Sequence, residues 1–152
     1  LDLDVVIVDN IDCFFFFFCE FLIIHDWKRP WRITGNSSVY RFKLGSFPEI
    51  LPYFREHFDE IRQKFRNEQA YLSWFVDAHG TLSYWNEDWC KSYKYHCLQK
   101  IPLAYFKPPV KPKGAKIIIF HGEINPPDAV NGGGGKWYRY VLPSDWIKDA
   151  WQ

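Results

Sequence analysis

Two aspartates one residue apart, Asp2 and Asp4, stand directly before the apolar run Val5, Val6, Ile7 and Val8. In extended chain, residues i and i+2 project to the same side, so both carboxylates can converge on one point. Like charges held that close repel unless a cation lies between them, and carboxylate oxygens suit Mg2+ or Mn2+. The plainer alternative is a solvated strand end, where aspartate only marks a turn. His121 follows the strand-like stretch KIIIF and precedes Gly122. There it is placed to act as a third ligand, since imidazole suits Mn2+ or Zn2+. Gly122 would let a ligand approach the backbone closely. A hydrogen-bonded histidine at a strand end is the other reading of the same pattern.

A second set of residues has the chemistry to read hydroxyl groups. TGNSSVYRF brings Thr34, Asn36, Ser37 and Ser38 into a strand. These short polar groups can bond sugar hydroxyls or simply form a turn. NEQAYL places Glu68 and Gln69 in the first turn of a helix. Glu68 is explained by the helix dipole. Gln69 shares a face with Leu72 and Val76, so it is expected to point inward. A carboxylate and an amide there can bind hydroxyls and stabilise positive charge. In HDWKRPW, Trp27 and Trp31 are apolar plates that can stack on sugar rings, with Arg29 between them, unless they only supply packing area.

The elements that must position these groups follow from spacing. Residues 5–8 form a continuous β-branched run, which predicts a strand buried on both faces. Further strands are expected at 21–24, 38–42 and the KIIIF run. Leu51, Phe54, Phe58, Ile61 and Phe65 recur three or four residues apart, predicting a helix within 48–66. A second helix is expected over 67–79, with Asn67 as N-cap and Gly80 as its stop. FKPPVKPKGAK reads as a stiff extended loop, NGGGG as a mobile one, and a short C-terminal helix should begin after Ser144.

Length and composition narrow the class. At 152 residues the chain is expected to be one domain, 1–152, with a sizeable core. Aromatic residues make up 20% of it, which rules out a disordered chain. A net charge of +1 gives no electrostatic case for nucleic acid. The apolar block at 13–19 is too short to span a bilayer and is expected in the core, with a peripheral membrane contact as the minority reading. Cys13, Cys19, Cys90 and Cys97 form no C-x-x-C pair and are expected as reduced thiols in a cytoplasmic protein, ahead of a Cys90–Cys97 disulfide or a zinc site.

Taken in order, LDLDVVIVDNID, GNSSVYRF, NEQAYL and IIIFHGEINPPDA resemble the successive motifs of GT-A-fold glycosyltransferases. The nearest resemblance is to the glycogenin and lipopolysaccharide galactosyltransferase-like group and its uncharacterised bacterial relatives, and it extends over residues 1–138. It implies an α/β fold, the C-terminal part of a GT-A mixed sheet flanked by helices, with the nucleotide-binding part ahead of D-x-D missing. It further implies a metal-dependent transfer from a nucleotide-sugar donor to a glycan or lipid-glycan acceptor. In that scheme Asp2, Asp4 and His121 would hold Mn2+ or Mg2+. Asn36, Ser37, Ser38, Trp27, Gly122 and Asn125 would contact donor or acceptor, and Glu68 and Gln69 would lie nearest the anomeric carbon. Asn125 stands where the family carries a lysine reaching the diphosphate, and Lys136 is the candidate replacement. The alternative implied is a non-catalytic carbohydrate-binding or scaffold remnant of such an enzyme.

Overall fold

The computed structural model describes residues 1–133 and 140–151. It is a mixed α/β chain that divides into two compact units, Phe17–Trp85 and Leu1–Phe16 with Asn86–Gln152. No helix among the described residues is long and apolar enough to cross a membrane. Lys136 and the last two glycines of the NGGGG loop, 134 and 135, lie outside the described residues.

The discontinuous unit is built on three strands, β1 (Val5–Ile7), β5 (Cys90–Ser92) and β6 (Ile117–Ile119), in the order β1-β6-β5. β1 runs antiparallel to β6, with Val5 opposite Ile119, and β5 runs parallel to it. The central strand β6 is buried at all three positions, as a β-branched run between two neighbours should be. β1 corrects the expectation of a strand buried on both faces. It is an edge strand, and only Val6 is buried while Ile7 remains 42% exposed. An apolar run reports β propensity but not whether the strand is central or at an edge. Val6, Ile118 and Phe120 join Tyr93, Val141 and Ile147 in the core of this unit. Helices α4 (Pro126–Asn131) and α5 (Asp145–Ala150) complete it.

The continuous unit pairs β2 (Phe21–His25) antiparallel with β3 (Gly35–Phe42) and parallel with β4 (Leu82–Tyr84). Its helices are α1 (Ile50–Glu56), α2 (Phe58–Lys64) and α3 (Glu68–Ala78). The single helix expected within 48–66 is broken at His57, whose φ of −111° and ψ of 29° leave the helical region. The apolar stripe is correspondingly incomplete, with Ile61 buried but Leu51 and Phe58 exposed. The phenylalanine block is also corrected. Phe14 is buried against Trp89, whereas Phe15, Phe16 and Phe18 face solvent.

Helix α3 begins as its sequence predicts, because Asn67 Oδ1 accepts from the Ala70 amide at 3.2 Å. Asn67→Ala should therefore cost about 1 kcal/mol of stability. Urea unfolding checks it, and a change below the error of the measurement would mean that the cap contributes nothing.

Candidate functional site

Antiparallel pairing brings the start of β1 and the end of β6 to one end of their sheet. The Phe120 amide donates to the Asp4 carbonyl at 2.9 Å, extending the ladder one step beyond the strands. Asp4 and His121 therefore belong to the same sheet end, although more than a hundred residues separate them in sequence. Pairing places Asp4 opposite Phe120, so period-two alternation sends His121 to the other face. Its ring lies on the face of Ile119 and Ser92, with Nε2 2.6 Å from Ser92 Oγ and the Tyr95 ring 5.1 Å away. Among the described residues no three His, Cys, Asp or Glu side chains gather as a metal-binding group. Asp2, Asp4 and His121 share a sheet end without forming a ready-made ligand shell.

Asp4 is nevertheless an unusual carboxylate. Its Oδ1 is buried and has no hydrogen-bond partner among the described residues. Burial pushes its pKa above the ordinary carboxylate value, and the neighbouring charge of Asp2 pushes it further the same way. Buried polar atoms are normally bonded, and an orphan oxygen of this kind costs stability unless something absent from the protein alone satisfies it. Carboxylate oxygens, one of them already desolvated, are what a hard divalent cation takes, but Leu3 and Asp4 lie in a turn before β1 and not in the extended chain expected to aim both carboxylates to one side.

Ser92 is the organising residue on the His121 side, and sequence reasoning missed it. It is fully buried, and its amide donates to His96 Nδ1 at 3.0 Å. Its hydroxyl meets His121 and accepts from the Tyr95 amide at 3.3 Å. These contacts hold a one-turn π-helix, Tyr93–Cys97, a rare geometry often found at functional sites. The only sequence signal was that YKYHC has neither a helix nor a strand period. Burial lowers the pKa of His96. It also pushes the Cys97 thiol and the Tyr93 hydroxyl up to about 12, so neither ionises near neutrality. Beside His121 lies a cavity of about 410 Å3, whose walls include Tyr95, Lys100, Ile124 and Tyr140. Gly122, with φ of +94°, turns the chain out of β6 in a conformation that side chains avoid. Asn125 caps α4, and its amide donates to Asp128 Oδ2 at 2.9 Å. The N-P-P-D order signals this cap in the sequence.

In the other unit the residues chosen for hydroxyl chemistry do come together. The Ser37 amide donates to Gln69 Oε1 at 3.2 Å, and the Ser37 hydroxyl donates to Glu68 Oε1 at 3.0 Å. Asn36 Oδ1 accepts from the Ser38 amide at 3.0 Å. The junction is set by Gly35, whose amide donates to the buried Ser73 hydroxyl of α3 at 2.9 Å. A side chain at this glycine would meet Ile23 at 2.6 Å, so only glycine lets β3 approach β2 so closely here. Trp27 sits half-buried in the turn after β2, apart from the Ser37 group in the sequence of elements. Compared with known protein families, curated proteins and solved structures, the chain matches none.

Proposed function

We propose that this chain carries metal- and hydroxyl-binding parts of a GT-A-fold glycosyltransferase, which moves a sugar from a nucleotide-sugar to a glycan or lipid-glycan acceptor. The observation that carries the reading is the buried, unpartnered Oδ1 of Asp4 beside a second carboxylate. A carboxylate held against its own solvation suits cation binding better than it suits packing. Asp2 and Asp4 would hold Mn2+ or Mg2+, which when bound neutralises charge on the departing diphosphate. His121 would stand by at the same sheet end, its ring oriented by Ser92. In the other unit Glu68 and Gln69 would, by themselves, offer acceptors to the hydroxyl groups of a sugar. Ser37 keeps those two side chains in register by bonding both.

Incubating the protein with a panel of UDP- and GDP-sugars and Mn2+ tests this. Metal-dependent donor hydrolysis or transfer, abolished by chelator, is the expected result. An absence of turnover, hydrolysis and metal-dependent nucleotide binding would overturn the reading. Glycan binding indifferent to chelator would replace it with the non-catalytic alternative.

A further inference from the structure

The cavity of about 410 Å3 beside His121 has walls that no step of the proposed transfer uses. Its floor is apolar and held in place. Tyr93 lies there fully buried, stacked on Phe120 with centroids 4.4 Å apart. The Tyr93 hydroxyl is bonded to Ser144 Oγ at 3.1 Å, so the cavity meets carbon surface from this residue. Leu98 and the buried Ile124 add to that surface.

The rim has a different character. Lys94 and Lys100 stand on it as exposed ammonium groups, against one carboxylate, Glu123, among the described lining residues. The chain as a whole is balanced, with 19 basic and 18 acidic residues, so this excess of positive charge is local. Elsewhere in the same unit lysines do reach carboxylates, Lys91 meeting Asp88 at 3.1 Å and Lys116 meeting Asp9 at 3.9 Å. Neither Lys94 nor Lys100 has an ion pair or a side-chain hydrogen bond among the described residues, and Lys94 Nζ stands 5.8 Å from the Tyr95 ring centroid. Two like charges on one concave wall raise the local concentration of anions.

Rings line the same wall. Tyr95 is 37% exposed and Tyr140 42%, so both leave aromatic surface open to a ligand. Tyr140 is backed by Tyr105, with planes 17° and centroids 6.1 Å apart, which steadies it as a plate. Such surfaces favour a flat ring. The volume is that of a small-molecule site.

We infer that this cavity binds a small ring-bearing organic anion. The ring packs against Tyr95, Tyr140 and the apolar floor, and the phosphate or carboxylate lies between Lys94 and Lys100. The inference goes beyond the transferase reading and does not rest on it, because this binding needs neither nucleotide nor metal.

Phenyl phosphate, benzoate, methyl phosphate, benzyl alcohol and benzylammonium, titrated calorimetrically into the full chain with EDTA present, test it. The tighter of phenyl phosphate and benzoate identifies the head group. It should bind at least about tenfold more tightly than methyl phosphate, which lacks the ring, and than the alcohol or ammonium, which lack the anion. Lys94→Gln combined with Lys100→Gln should lower that affinity about fivefold or more. Tyr95→Leu should lower it about threefold or more. Lys148→Gln, at an exposed position on α5 of the same unit, should leave it unchanged. Both rim lysines are exposed, so the double variant should unfold at the parent's temperature. Absence of binding, or equal affinity for methyl phosphate, the alcohol or the ammonium, would overturn the inference. So would indifference to the double lysine change, or an equal loss from Lys148→Gln, which would reduce the effect to general positive charge.

Discussion

Asp4→Ala should lower Mn2+-dependent donor turnover by about a hundredfold or more while leaving the protein as stable as before, or more stable by on the order of 1 kcal/mol. The two halves of this expectation have one cause. The Asp4 oxygen that lacks a partner is a cost to the folded chain, and removing it deletes the cost together with the cation's desolvated ligand. The pH dependence follows with a definite sign. Burial, then Asp2, raises the folded-state pKa of Asp4 above its ordinary value of 3.8. A group raised in this way contributes stability that is fully present below the unfolded pKa. That contribution is lost as pH rises through the folded value. The advantage of Asp4→Ala should thus be absent in acid and grow as pH rises past that window. Denaturant unfolding at several pH values measures it. A variant less stable than the parent at neutral pH, or one with unchanged turnover, would show Asp4 to be structural. Asp9→Ala is the control. Asp9 is an exposed carboxylate in the same unit, 3.9 Å from Lys116, and its loss should leave turnover untouched.

How much of this could be read from the residues alone depended on whether the governing interaction was local. Helix α3 was legible from end to end, because Asn67 and Gly80 act within one turn of it. The association of Ser37 with Gln69 was foreshadowed by an inward-pointing polar residue at a helix start, though its partner strand lies more than thirty residues away. The edge position of β1 was invisible. Val5 to Ile7 would read the same in the middle of a sheet, and strand order is decided by long-range pairing with β6. The same pairing separates His121 from Asp4 by one step of alternation, which no motif spacing encodes. The phenylalanine block illustrates the opposite failure. Composition predicts burial of apolar rings, yet only Phe14 is fully buried, Phe17 is half-buried edge-on to Trp85, and Phe15, Phe16 and Phe18 face water. Ser92 was missed because a buried serine gives no periodic signal, although two imidazoles and a π-turn depend on its three polar atoms.

Ile118→Ala should destabilise the protein by about 2–5 kcal/mol, the usual range for emptying a fully enclosed aliphatic site. Ile118 lies at the centre of the central strand, fully buried, paired with Val6 on one side and Lys91 on the other. Its side chain packs in the cluster that also contains Tyr93 and Phe120, whose stacked rings have centroids 4.4 Å apart. Those rings interdigitate, so the surroundings cannot collapse into the void without disturbing the strand that ends at His121. Ile7→Ala is the matched comparison. It removes the same atoms from an edge strand of the same sheet, at a residue 42% exposed, and should cost less than about 1 kcal/mol. Thermal and urea unfolding of the two variants separates propensity from burial, since the β-branched side chain is lost in both. Equal destabilisation would mean that strand propensity, rather than enclosure in the core, holds this sheet together. A large difference would place the stability of the Asp4–His121 sheet end in the side chains behind β6. Loss of hydrogen-exchange protection at the Phe120 amide, which bonds the Asp4 carbonyl, should then accompany Ile118→Ala and be absent from Ile7→Ala.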